Sequence, residues 1–141
     1  MVTFHGTTLD VATGMANGSN PIDVVNHGKG EFGKGFYCQC SPANALQRAL
    51  SKTNRSRKPC VLEIDIPDHT YYAFTRRQLS KVSARRLRYY INRTMQKATY
   101  TSRHDVIVGP LLPAEVIEQQ KFQSEHSQNT INGVFVRKRV Q

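Results

Sequence analysis

Two stretches near the start of the chain hold residue types that do chemistry. Phe4-His5-Gly6-Thr7-Thr8 closes a strand-like pattern, and Gly28-Lys29-Gly30-Glu31-Phe32-Gly33-Lys34-Gly35 leads into Phe36-Tyr37. A histidine followed by glycine at a strand end offers a ligand both a ring nitrogen and bare backbone. The commoner fate of a lone histidine is a satisfied place in a core or on a surface. A glycine-rich run lets some group come close to the backbone, and a phosphate is one candidate. A dinucleotide or phosphate loop, however, needs a strand before it and a helix opening at its last glycine. Here polar Asn26-His27 precedes the run, an aromatic strand pattern follows it, and no Lys-Ser or Lys-Thr pair closes it. A Rossmann or P-loop reading is excluded.

The elements that must hold these residues follow from pattern. Val2 to His5 predicts a short strand. Thr8 to Gly18 predicts a short helix, with Leu9, Ala12 and Ala16 on one face and Gly18 as its stop. Phe36 to Cys40 predicts a strand. Ser41 is a good N-cap with Pro42 at the first helical position, so Ala43 to Leu50 predicts a helix. Cys60, Leu62, Ile64 and Ile66 alternate with Glu63 and Asp65, as in a half-buried strand. Thr75 to Tyr100 predicts a helix with an imperfect stripe of Leu79, Val82, Leu87, Ile91 and Met95. Asp105 to Val108, Val116 to Phe122 and Val134 to Val140 predict strands, and Ser124 to Asn132 a polar connector. Late strands without helical crossovers predict an α+β fold. A length of 141 residues predicts a single domain over 1–141.

Composition narrows the partners. Lys and Arg number 20 against 10 acidic residues, a net charge of +10. So strong a positive potential favours polyanions: RNA, DNA or an acidic protein. Arg76, Arg77, Lys81, Arg85, Arg86, Arg88, Arg93 and Lys97 share one stretch with Tyr89 and Tyr90, and Lys52, Arg55, Arg57 and Lys58 form a basic loop. A solvated helix face is the bland alternative. No base-reading motif is present, so recognition of a nucleic acid would rest on backbone and shape, which suits structured RNA. No apolar run is long enough to span a membrane, and Met1 to Thr8 lacks the basic and apolar regions of a signal peptide. Cys38-Gln39-Cys40 is not a metal or redox spacing, and reduced core thiols are expected of Cys38, Cys40 and Cys60. The histidines are scattered, and no metal is expected.

Taken together, Phe4-His5-Gly6-Thr7-Thr8 and the later run Glu31-Phe32-Gly33-Lys34-Gly35-Phe36-Tyr37, followed by the Ser41-capped helix, closely resemble the ADP-ribosyltransferase superfamily. The Phe32 to Tyr37 segment is similar to the signature of poly(ADP-ribose) polymerases. Asp105-Val106-Ile107-Val108-Gly109-Pro110 and Phe122-Gln123-Ser124-Glu125 resemble segments of small bacterial toxin domains of that superfamily. The resemblance implies a split β-sandwich with flanking helices around a cleft that binds NAD as co-substrate. It implies that His5 bonds the adenosine-side ribose, that the Gly6 backbone meets the nicotinamide amide, and that Tyr37 lines the nicotinamide pocket. Thr7, Gly35, Phe36, Ser41 and Arg48 join them as NAD-binding residues. The second stacking aromatic of the polymerases has no counterpart, since Arg48 stands near its position, which argues against chain elongation. The superfamily's catalytic Glu on a late strand has two candidate positions here. Aligning Phe122 with the toxins' Phe puts Gln119 there, and a shift by one residue puts Glu118 there. Strand alternation favours Gln119, which points away from the expected core residue Phe122. Glu125 and Glu115 stand further off.

Cleavage of the nicotinamide–ribose bond builds positive charge on the sugar, so the site must hold the leaving group, fix the ribose and admit one nucleophile. A Glu can orient the 2′-OH and help deprotonate an acceptor, whereas a Gln can orient it but takes no proton. Glu118, Glu125 or His126 would then have to help a weak acceptor. The expectation is a mono-ADP-ribosyltransferase toxin domain of a secreted bacterial effector, monomeric, acting in the target-cell cytoplasm. RNA is the first acceptor and protein the next, with an acidic immunity protein as partner. The alternatives are an NAD glycohydrolase, a basic RNA-binding or ribonuclease module without NAD chemistry, and an inactive transferase fold. Arg55, Arg57, Lys58, Arg85, Arg86 and Arg88 are the expected nucleic-acid contacts.

Overall fold

The structure is a computed structural model, and the residues it describes are all but His27, Asn54, Arg55 and 111–116. Its elements run β1 (Val2–Thr8), α1 (Leu9–Asn17), β2 (Phe36–Gln39), α2 (Pro42–Lys52), β3 (Pro59–Asp65), α3 (Asp68–Tyr71), β4 (Arg76–Gln78), α4 (Lys81–Arg93), β5 (Val106–Pro110), β6 (Glu118–Phe122), α5 (Glu125–Ile131) and β7 (Arg137–Val140). Helices and strands are mixed along the chain. It forms two compact units: Met1–Ile22, Cys38–Tyr72 and Thr130–Gln141 make the first, and Asp23–Tyr37 with Ala73–Asn129 the second.

In the first unit β1 pairs antiparallel with β3 along its whole length, from Val2 opposite Asp65 to Thr8 opposite Pro59. β7 adds to the far side of β3, with Leu62 opposite Val140. The alternation of β3 holds: Cys60, Leu62, Ile64 and Ile66 are buried while Asp65 is exposed. Val61 is buried as well. α1 ends where Gly18 adopts φ +81, as its position after the last periodic residue predicts. Ser41 caps α2 by accepting the Asn44 N–H at 3.2 Å, with Pro42 in the first turn. α2 lies directly on β1 because Gly6 has no side chain. A Cβ there would collide with the Ala45 carbonyl and come within 2.8 Å of the Ala49 nitrogen.

In the second unit β4 runs parallel to β5, and β5 pairs antiparallel with β6, from Val106 opposite Phe122 to Pro110 opposite Glu118. Phe32, Tyr37, Leu79, Ala84, Leu87, Ile91 and Ile107 form its core. The long helix expected over Thr75 to Tyr100 is two elements, a strand and a shorter helix, followed by turns. Arg76–Gln78 pairs as β4, Ser80 caps α4 through the Ser83 N–H at 3.1 Å, and the helix stops at Arg93. Met95 has φ +57 and is 89% exposed, and Val82 is also exposed, so neither belongs to the apolar stripe. Asp105 staples this unit. Its carboxylate accepts the Thr75 N–H at 2.9 Å and the Ser124 hydroxyl at 2.6 Å. Burial alone would raise the Asp105 pKa, but these hydrogen bonds outweigh it and hold the carboxyl below its ordinary range.

The thiols need one correction. Cys38 and Cys60 are buried, but β2 ends at Gln39 and Cys40 is exposed. Burial pushes the Cys38 thiol far above its ordinary pKa, so it stays protonated. Among the described residues no helix is long and apolar enough to cross a membrane.

Candidate functional site

His5, Gly6 and Thr7 lie on β1 in the first unit, and His5 and Thr7 are both buried. His5 sits opposite Leu62. The Gly6 carbonyl accepts the Lys52 ammonium at 2.9 Å. Ser41 is half-buried at the start of α2, and Arg48 is half-buried one turn before its end.

Phe36 and Tyr37, the first residues of β2, follow the glycine loop in the second unit, and both are buried. The Tyr37 hydroxyl donates to the Gly33 carbonyl at 2.6 Å and accepts the Phe32 N–H at 3.0 Å. It therefore latches the loop that precedes it. Gly33 has φ +94, and a Cβ there would strike the Tyr100 carbonyl. The unit's own atoms crowd the other glycines too: the Tyr37 ring lies against Gly30, and the Lys121 stem against Gly35. The loop's glycines are thus needed for internal packing, whatever else approaches them. Tyr37→Phe keeps the ring but orphans two buried backbone groups. It is expected to cost about 1–3 kcal/mol in denaturant unfolding.

β6 buries Gln119, Gln120, Lys121 and Phe122 in succession, and only Glu118 is exposed. Gln119 and Lys121 face the glycine loop, while Phe122 packs edge-on against Phe74 with ring centres 6.2 Å apart. The alternation that sets Gln119 opposite Phe122 is therefore present. Glu118 accepts from the Gln78 amide at 2.9 Å. Lys121 is wholly buried, and its Nζ donates to the Phe32 carbonyl at 2.6 Å and the Tyr100 carbonyl at 3.4 Å. Burial, with repulsion from Lys34 second, lowers its pKa from 10.5 to about 7.

The group that sequence reasoning missed is Glu31. Its Oε1 accepts Arg88 Nε at 2.5 Å and its Oε2 accepts Gln119 Nε2 at 3.3 Å. The Glu31 side chain is 23% exposed, that of Arg88 only 7%. Arg88 also donates to the Pro110 carbonyl and lies over the Phe32 ring, 5.3 Å from its centre. Its Nη1 is buried with no hydrogen-bond partner among the described residues. The only sequence signal for this cluster is an acidic residue inside a basic, glycine-rich loop.

Arg88 therefore needs correction as an expected nucleic-acid contact: it turns inward onto Glu31 and cannot reach a phosphate outside. Arg85 and Arg86 are exposed on α4 in the second unit, and Arg57 and Lys58 are exposed in the first. Arg55 and Glu115 lie outside the described residues. Phe122-Gln123-Ser124-Glu125 is structural in its first three members. The Gln123 amide donates to the Ser102 and His104 carbonyls, and Ser124 accepts the Ser127 N–H at 2.9 Å, at the start of α5. Glu125 is exposed in the first turn of that helix.

No protein-family model matches the chain, and no curated protein matches it. Among the described residues no group of three or more His, Cys, Asp or Glu is placed to hold a metal ion. The Glu31 carboxylate is part-exposed, and Arg88 Nη1 is buried with no hydrogen-bond partner among the described residues.

Proposed function

We propose that this chain is a mono-ADP-ribosyltransferase domain that takes ADP-ribose from NAD and transfers it to a macromolecule, RNA first and protein next. The observation that carries the reading is one of order: His5-Gly6 on a strand, then Phe32-Gly33-Lys34-Gly35-Phe36-Tyr37, then a helix capped by Ser41. The reading includes a split β-sandwich fold, a toxin context and an acidic neutralising partner. NAD would supply an electrophilic ribose carbon with nicotinamide as the leaving group. The chain's residues would bind and orient it: His5 at one ribose, Tyr37 and the latched loop at the nicotinamide end, and Gln119 toward the reacting ribose. An amide at 119 orients a hydroxyl but takes no proton, which favours acceptors that need little deprotonation.

The charge of +10 supports a polyanionic acceptor. Modification of RNA is expected to fall steeply with salt. Alanines at Arg85 and Arg86 should shallow that salt dependence by about one to two counterions while leaving NAD affinity unchanged. Salt-independent labelling of a protein would argue against RNA. The test of the whole reading is incubation with labelled NAD and, separately, total RNA, DNA and protein. Label in RNA supports it. Nicotinamide release with no macromolecule labelled would replace it with a glycohydrolase. RNA retention or cleavage with NAD untouched would replace it with a binding module or ribonuclease.

A further inference from the structure

We propose that Glu31, on the glycine loop, supplies the carboxylate that β6 lacks, accepting a hydrogen bond from a hydroxyl of the donor's nicotinamide-side ribose. This rests on the proposed NAD reading.

Of the two buried β6 residues that face the loop, Gln119 is an amide and Lys121 an amine, while the strand's own carboxylate, Glu118, is exposed and bonded to Gln78. Glu31 comes from 88 residues earlier to lie 3.3 Å from the Gln119 nitrogen. It is held there. Arg88 grips its Oε1 at 2.5 Å and is itself fixed by the Pro110 carbonyl and the Phe32 ring. A carboxylate gripped by a buried guanidinium through a charge-assisted hydrogen bond is preorganised. Among the described residues, two of its roughly four acceptor positions are used. The side chain remains 23% exposed, so a ligand hydroxyl can reach the rest.

The same contact gives a physical reason for the glutamine. A second carboxylate within hydrogen-bond distance of Glu31 would repel it, and one of the pair would have to take a proton or move away. An amide donor at 119 instead holds the Glu31 oxygen in place. Gln119 is thus a positioning residue for Glu31, as is Arg88.

The test compares wild type with Glu31→Gln, Glu31→Asp and Gln119→Glu, using Glu63→Gln as a charge-removal control. Nicotinamide release, NAD affinity by calorimetry and the melting midpoint are read for each. Glu31→Gln is expected to slow release about 10²–10³-fold while weakening NAD affinity less than about tenfold. Gln119→Glu is expected to lower turnover, although it restores the residue type of the superfamily. Glu31→Asp keeps a charge for Arg88 but withdraws the carboxylate by one methylene. It should fold and release nicotinamide at least about tenfold more slowly, which decides the matter if Glu31→Gln does not melt cooperatively. Wild-type release by either Glu31 variant, or faster release by Gln119→Glu, overturns the assignment. A wild-type protein that neither binds nor cleaves NAD overturns the NAD reading itself, a result distinct from either.

Discussion

Gly6→Ala is expected to prevent the first unit from folding. The added methyl would overlap the Ala45 carbonyl and press on the Ala49 nitrogen, both backbone atoms of α2. α2 cannot retreat cheaply, because Ala45 and Ala49 are wholly buried beneath it. β1 cannot retreat either, since every residue from Val2 to Thr8 is paired to β3. Overpacking against the backbone of α2, with neither element free to move, should cost about 4 kcal/mol or more, a large share of a small unit's stability. Loss of the cooperative denaturant transition, or its shift to much lower denaturant, is the expected readout, and a transition unchanged in midpoint would refute the packing argument. The result bears on function. Loss of NAD binding in a Gly6 variant would report lost packing before it reported a lost contact with nicotinamide.

The second large effect is a pH dependence set by Lys121. Its pKa is about 7 in the folded chain against an ordinary 10.5, so between those values the unfolded chain holds more protons. Stability therefore rises with pH across that window, and the full penalty of a buried charge applies below it. The span corresponds to a few kcal/mol in order of magnitude. Lys121→Met removes the titrating group and should flatten the rise in melting midpoint between about pH 6 and about pH 10. It also removes the donors to the Phe32 and Tyr100 carbonyls, at about 1 kcal/mol each, so its midpoint is expected to lie below wild type at the alkaline end. An unchanged slope in the variant would show that Lys121 is not the group responsible.

Local signals in the sequence were legible where one element decides its own shape. Ser41-Pro42 opens α2, Gly18 closes α1, and the alternation of Cys60 to Ile66 marks β3 with its buried face. The stretch from Thr75 to Tyr100 misled because its composition is helical from end to end and its apolar stripe, though imperfect, spans Leu79 to Met95. Only pairing with β5, thirty residues on, turns Arg76–Gln78 into a strand. β6 was harder, because it lies buried on both faces yet carries Gln119, Gln120 and Lys121, residue types that announce exposure. His5, Tyr37 and the glycine loop could each be singled out as candidates from residue type and order. Glu31 could not, because its meaning lies in partners 57 and 88 residues away. Arg88 was misread for the complementary reason: a cation in a basic stretch looks like surface until its carboxylate is known.

β7 carries Arg137, Lys138 and Arg139 on the strand that closes the order β2-β1-β3-β7, so its outer side is the open edge of that sheet. An open edge is a template for a second copy of the same chain. Two copies meeting there in antiparallel fashion would bring like charges against one another, a few ångströms apart. Like charge along that edge therefore opposes such pairing.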